Sequence, residues 1–300
     1  MITRQSPPSR RLPVVGLIAG DPSGIGPELL QSALRHAPEG VLLEVIGNPS
    51  TLDPGKPSPS GSRMAIASLE EGARRALAGE IQALVTGPVS KKLLHQEGFE
   101  FPGQTEFFAA RAGVKDYAML LTGGSLTVAL VTAHVPLRRV AEILSVSEIV
   151  RVGRLLADFL KRRGISSPRI AVAGLNPHAG EQGDLGDEEE NIIAPAVLML
   201  DASDHATAFS GPFSPDTVFW RASQGEFDAV LCMYHDQGLI PLKLLGFHDG
   251  VNVTLGLPFI RTSPDHGTAF ELAGTGKARP ESFLSAVRLA AEMIRDRPEN

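Results

Sequence analysis

Five short, almost wholly apolar runs constrain this chain more than any other feature: Pro13 to Gly20, Val41 to Gly47, Ile81 to Gly87, Arg169 to Leu175 and Asp228 to Met233. Each is short and bounded by polar or turn residues, so each reads as a strand, and Pro13 to Gly20 and Asp228 to Met233 read as buried ones. Most are followed by a glycine or proline turn and then an amphipathic stretch. Strand, turn and helix repeated in this way predict an α/β fold around a largely parallel sheet.

The remaining segments fit between these strands. Helices are expected over Leu29 to Ala37, Met64 to Ala78, Leu137 to Arg163, Asp187 to Leu200 and Glu281 to Arg295, with apolar residues at helical spacing. The Pro, Ser and Gly tract of residues 48–63 has little to bury and reads as a surface loop. Tyr117 to Leu121 and Ser125 to Ala133 read as two strands joined by a Gly123-Gly124 hairpin. Asp216 opens a further helix, where an acid suits the first turn.

Composition excludes several functions. A formal net charge of −6, with Lys and Arg scattered among acids, is unlike a nucleic-acid surface, which needs clustered cations. The single cysteine, Cys232, lies inside an apolar strand and can build neither a disulfide framework nor a thiolate zinc site. The basic N-terminal stretch precedes an apolar run that Asp21 interrupts, and no apolar segment reaches membrane length. A cytoplasmic protein with no membrane or nucleic-acid partner is expected. Gly20, Gly24 and Gly26 follow the first strand, but their order is not the dinucleotide fingerprint.

Chemistry concentrates after strand ends, the edge at which α/β sheets bind ligands. His235 and Asp236 follow Met233, and Lys243, Asn252 and Arg261 come soon after. Lys91 and Lys92 follow the third apolar run and are placed to meet an anion. Gln104 and Thr105 precede an aromatic helix whose free N–H groups suit an anion as well as a cap. His134, His178 and His235 each follow an apolar strand and begin a loop. If those strands are neighbours, three imidazoles converge and form a Lewis-acid site for a borderline divalent metal, with Asp236 beside it to orient a ligand or move a proton.

The segments GDPSGIGPE, VTGPVSKK, PGQTEFF, TAHVPLR, GLNPHAGEQG, MYHDQGLIPLK, GVNVTLGLPFIRTSPDHGTA and ELAGTGKA resemble, in order and over nearly the whole chain, the NAD-dependent 4-hydroxythreonine-4-phosphate dehydrogenases of vitamin B6 synthesis. The resemblance implies an isocitrate/isopropylmalate dehydrogenase-like fold of two α/β domains. One would be residues 1–127 completed by 256–300, the other 128–255, with the active site in the cleft between them at a homodimer interface. It implies that His134, His178 and His235 bind one divalent metal (Zn, Co or Mg) shared across the dimer. Gln104, Thr105, Lys243, Asn252 and Arg261 would contact a phosphorylated substrate, although the family reads PGHTE where this chain has PGQTE. The stretch from Asp265 to Pro280 resembles an adenosine loop, so His266, Gly267, Thr268, Ala269 and Gly274 would bind NAD or NADP.

The implied reaction takes the proton of a secondary hydroxyl while hydride leaves the same carbon for NAD, and carbon dioxide then departs. Asp236 or Asp216 is the base or relay by type and placement, with Lys243 beside them. Gln104 carries neither proton nor charge, which leaves open a relative acting on erythronate or threonate 4-phosphate or on a cis-dihydrodiol carboxylate. A three-histidine metal hydrolase is the reading from another class, and a non-catalytic phosphate-binding module is a third.

Overall fold

The computed structural model describes residues 12–48, 50 and 52–295. The basic stretch ahead of residue 12, and residues 49 and 51 of the Pro/Ser tract, lie outside the described residues.

Ten strands form one mixed sheet: β1 (Val14–Ile18), β2 (Leu42–Val45), β3 (Ala83–Thr86), β4 (Ala118–Gly123), β5 (Leu126–Leu130), β6 (Arg169–Ala173), β7 (Ala208–Phe213), β8 (Ala229–Cys232), β9 (Val251–Leu255) and β10 (Ile260–Pro264). Their order is β2-β1-β3-β10-β9-β4-β5-β8-β6-β7. The strands β2, β1, β3 and β10 are mutually parallel, and so are β5, β8, β6 and β7. Between these halves β9 and β4 pair antiparallel to their neighbours, so strand direction reverses at the middle of the sheet. Such reversals are where crevices form in open α/β sheets.

Burial explains why the apolar runs became strands. The side chains of Val15, Leu17, Leu84, Val85, Ile170, Val172, Val230 and Leu231 are all fully buried. The largest apolar cluster runs from β1 to β8 beneath the helices Val146–Arg162 and Glu281–Arg295. A second cluster around Phe107, Phe108 and Phe259 belongs to the first half, and a third around Val128, Val218 and Leu242 to the second.

Several expected boundaries move. The helix expected from residue 64 starts at Pro59, because Ser58 accepts from Gly61 N–H at 3.2 Å and Pro59 suits a first turn, so part of the supposed loop is helix. The long helix expected over 137–163 is two, Leu137–Ile143 and Val146–Arg162, since Ser145 leaves helical geometry to accept from Glu148 N–H. The helix expected at 187–200 begins with a π-helical turn, Glu189–Ile193, before Ala194–Ser203. His235 opens the helix His235–Gly246 and not a loop, despite Gly238 and Pro241 within it.

Candidate active site

A cavity of about 200 Å³ lies over the central strands. Its floor and walls include Thr86 at the end of β3 and Pro88 just beyond it, Asn252 on β9, and Arg261 and Ser263 on β10. The first turn of the helix Gln104–Arg111 supplies Gln104, Thr105 and Glu106, while Lys91, His134 and His266 reach in from loops and a helix start.

Arg261 is its deepest charge, only 3% exposed. One guanidinium nitrogen donates to Thr86 Oγ1 at 2.8 Å and Gln104 Oε1 at 3.0 Å, and the other terminal nitrogen donates to Thr254 Oγ1 at 3.2 Å. Gln104 is itself fixed, its Nε2 donating to Gly87 O at 3.1 Å. Phe108 lies under the guanidinium, 5.7 Å from ring centroid to Cζ. All of these acceptors are neutral, and Nε has no protein partner. Burial pushes the group down to about 10, which leaves it a cation at neutral pH. A buried cation without a carboxylate is costly unless an anion joins it. The Oδ1 of Asn252, buried in the same cavity, also lacks a partner.

At the other end, the His134 and His235 rings lie 5.6 Å apart, centroid to centroid. His235 Nδ1 is 2.7 Å from Asp236 Oδ1, the contact by which a carboxylate holds a metal-ligating imidazole in one orientation. Burial, reinforced by nearby Lys91 and His235, holds His134 below its usual range and so neutral, the form that ligates metals. Among the described residues no three His, Cys, Asp or Glu side chains gather closely enough to enclose a metal. His178 is exposed on the turn Pro177–Gly183, whose residues 178–182 all have positive φ. Four of these five are not glycine, a strained run for L-residues. Glu189 secures its base, its carboxylate accepting from Leu175 and Asn176 N–H at 2.7 Å each. A Cβ at Gly174 would lie 3.0 Å from both Glu189 Oε1 and Ala179 Cα, a tight contact that favours glycine there.

The structure thus brings together Gln104, Thr105, Asn252, Arg261, His134 and His266, with His235 alongside His134. Lys243 does not line this cavity; its Nζ lies 2.6 Å from Asp265 Oδ2. Lys91 also lines the cavity, whereas Lys92 does not. Asp216 accepts from Ser214 Oγ at 2.6 Å on an exposed turn. Glu106, which the sequence reading did not single out, is the carboxylate that lines the cavity.

The segment 266–274 packs on the turn after β1. Ile25 N–H donates to Thr268 O at 3.0 Å, Glu28 accepts from Gly274 N–H, and Gly24 approaches Thr268 so closely that a Cβ would lie 2.7 Å from its carbonyl oxygen.

Residues 28–290 match the family model described as Pyridoxal phosphate biosynthetic protein PdxA. The chain is 45% identical over 318 residues to a 4-hydroxythreonine-4-phosphate dehydrogenase of Erythrobacter litoralis, covering 91% of this chain and 94% of that protein. It is 41% identical to the D-threonate 4-phosphate dehydrogenase of Salmonella typhimurium, covering 93% and 98%. The crystal structure of 4-hydroxythreonine-4-phosphate dehydrogenase from Klebsiella pneumoniae superposes with a TM-score of 0.80 at 38% identity, covering 94% and 99%. In fold alone, the likeness extends to a β-decarboxylating dehydrogenase of Thermococcus kodakarensis, at a TM-score of 0.55 and 17% identity over 94% of this chain and 84% of that one.

Proposed function

This chain belongs to the family of Pyridoxal phosphate biosynthetic protein PdxA, and from that premise we propose that it oxidises the secondary hydroxyl of 4-phosphohydroxy-L-threonine with NAD. Hydride passes to the cofactor and the hydroxyl proton to a base. The carbon oxidised lies next to the carboxylated carbon, so the product is a β-keto acid that loses carbon dioxide to give 3-amino-2-oxopropyl phosphate.

The observation that carries this reading is Arg261, a buried guanidinium bonded to hydroxyls and one amide and to no carboxylate among the described residues. It is built to receive an anion, the phosphate or carboxylate of the substrate, and Gln104 holds it in place. Lys91 at the cavity wall adds a second positive group, and Asn252 and Thr105 offer hydrogen bonds to the substrate's hydroxyls. Glu106 is the cavity-lining carboxylate of this chain that can take the departing proton, and Asp236 holds His235 in orientation. We assign Lys243 to anchoring Asp265 at the mouth of the 266–274 segment, and Asp216 to the turn it caps.

His134 and His235 fit two ligands of a divalent metal, and His178 of the partner subunit supplies the third. When bound, such a metal provides a Lewis acid at the hydroxyl and later at the enolate oxygen. A second copy is favoured by the helix His235–Gly246, which exposes Ile240, Leu244 and Phe247 (68, 84 and 70%) at intervals of four and three residues. An apolar stripe of that kind calls for a partner. Closure of the halves 1–127 with 256–300 onto 128–255 would then seal the cavity. NAD or NADP rests on His266, Gly267, Thr268, Ala269 and Gly274.

Gln104 favours one second reading, a substrate such as D-threonate 4-phosphate with a hydroxyl where 4-phosphohydroxy-L-threonine has an amine, because a neutral amide replaces a titratable ring at the anion. Following NADH absorbance with both substrates, with and without chelator, decides between them. No NADH from either defeats the dehydrogenase reading, and turnover indifferent to chelator defeats the metal.

A further inference from the structure

Glu106 is the one acid among the residues lining the substrate cavity, set against the cations Arg261 and Lys91. It lies in the first turn of the helix Gln104–Arg111, where negative charge is favoured. Its carboxylate and the Lys91 ammonium flank Gly103, where a Cβ would lie 3.1 Å from Glu106 Oε2 and 3.4 Å from Lys91 Nζ. Yet the two do not pair, and among the described residues neither forms an ion pair with any other group. Glu106 is half-buried, and its oxygens are open to solvent. A negative charge is thus left facing the cavity, free to meet a ligand.

The position of Glu106 says which part of a ligand it meets. A second cavity, of about 290 Å³, shares Thr105, Glu106, Met119 and His134 with the first, so Glu106 stands where the two meet. Burial holds both Arg261 and His134 below their usual ranges, and the Glu106 carboxylate is the one group that opposes this in each case. It is therefore within electrostatic reach of the anion-binding end and of the imidazole end, where the proposed reaction puts the hydroxyl.

Of the two substrates weighed above, only 4-phosphohydroxy-L-threonine carries a cation. Its ammonium and its reacting hydroxyl are on adjacent carbons, so one carboxylate can meet both, an oxygen to each. We propose that Glu106 determines substrate specificity: one of its oxygens accepts from the substrate's ammonium, which selects a phosphorylated hydroxy amino acid over the corresponding hydroxy acid. This rests on the dehydrogenase reading above and decides between its two substrates.

Isothermal titration of the full-length enzyme with each compound, without dinucleotide so that no turnover intervenes, tests it. The wild type should bind 4-phosphohydroxy-L-threonine about tenfold tighter than D-threonate 4-phosphate, the worth of one charge-assisted hydrogen bond. Glu106→Gln should weaken the amino compound about tenfold. It should leave the hydroxy acid unchanged or tighter, since a negative charge no longer faces a ligand of like charge. A merely structural role would move both compounds alike. Glu106→Asp keeps the charge and should keep the preference, and inorganic phosphate, the probe of the Arg261 end, should still bind both variants. Equal loss for the two compounds in Glu106→Gln, or no change in either, overturns the proposal, as does a wild type that prefers D-threonate 4-phosphate. In each of these cases NAD reduction with either compound keeps the dehydrogenase reading standing. A wild type that neither binds nor oxidises them removes that reading as well.

Discussion

Arg261 and His178 show two opposite ways of building a functional residue. Arg261 points inward, 3% exposed, and its terminal nitrogens are held by Thr86, Thr254 and Gln104 before any ligand arrives. His178 sits exposed on a left-handed run of backbone that only Glu189 and the glycines around it make possible. The first is preorganised by its own chain. The second is strained and presented outward, which is sensible only if something outside the chain meets it. In the function proposed above, one chain holds the substrate's anion and a second copy completes the metal site.

The comparison can be broken most severely at Arg261. Arg261→Met should lower kcat/KM on the order of a thousandfold, since it removes the buried cation that meets the substrate's anion. It should leave thermal stability unchanged or higher, because Met of similar volume carries no desolvation cost. A large fall in melting temperature would mean that Arg261 serves the fold instead.

At the other pole, one Glu189 oxygen accepts from both the Leu175 and Asn176 N–H groups and the other from Asn176 Nδ2, so Glu189→Gln sets an NH2 against that side-chain amide and weakens the charge-assisted bonds to the backbone. We expect about 2 kcal/mol of destabilisation in urea unfolding. Zinc uptake by the dimer should weaken together with it, whereas substrate binding at Arg261 should not. Gln104→Ala sharpens the first pole more gently: KM should rise about tenfold with kcat nearly kept, since an acceptor that orients Arg261 is lost but the charge stays.

The smallest effect concerns Asp21. Its folded pKa is raised, so the ionised form costs stability that is regained as pH falls below the unfolded value. Asp21→Asn should therefore stabilise the protein at pH 7 by about 1 kcal/mol, with the gain shrinking toward zero below about pH 4. Melting curves at the two pH values check the sign.

The outer parts of the sheet were legible because strands buried on both faces, such as β1, β3, β6 and β8, admit little but apolar residues. The middle was not. The strands β9 and β10 bury Thr254, Arg261, Thr262 and Ser263, and such polar residues break the apolar pattern at the place where the site is built. β7 carries Gly211 and Pro212 and shows no strand signal. The helix from His235 was hidden by Gly238, which must be small because a Cβ there would lie 3.0 Å from Cys232 Sγ. Resemblance named Arg261, Asn252 and Thr105 together, and all three line the cavity. The pairing of Lys243 with Asp265 and the idle oxygen of Asp21 depend on contacts between segments far apart in the chain, which spacing does not encode.

Mixing subunits tests most directly whether the metal site is completed by a second copy. His178→Ala and His235→Ala homodimers should each be inactive and bind zinc poorly. After unfolding and refolding together at equal amounts, about half the dimers are hybrids, and each hybrid has one site with all three imidazoles. We predict recovery of about a quarter of the wild-type activity and metal content per subunit. If all three ligands instead came from one chain, no hybrid would contain an intact site, and the mixture would stay as inactive as its parents.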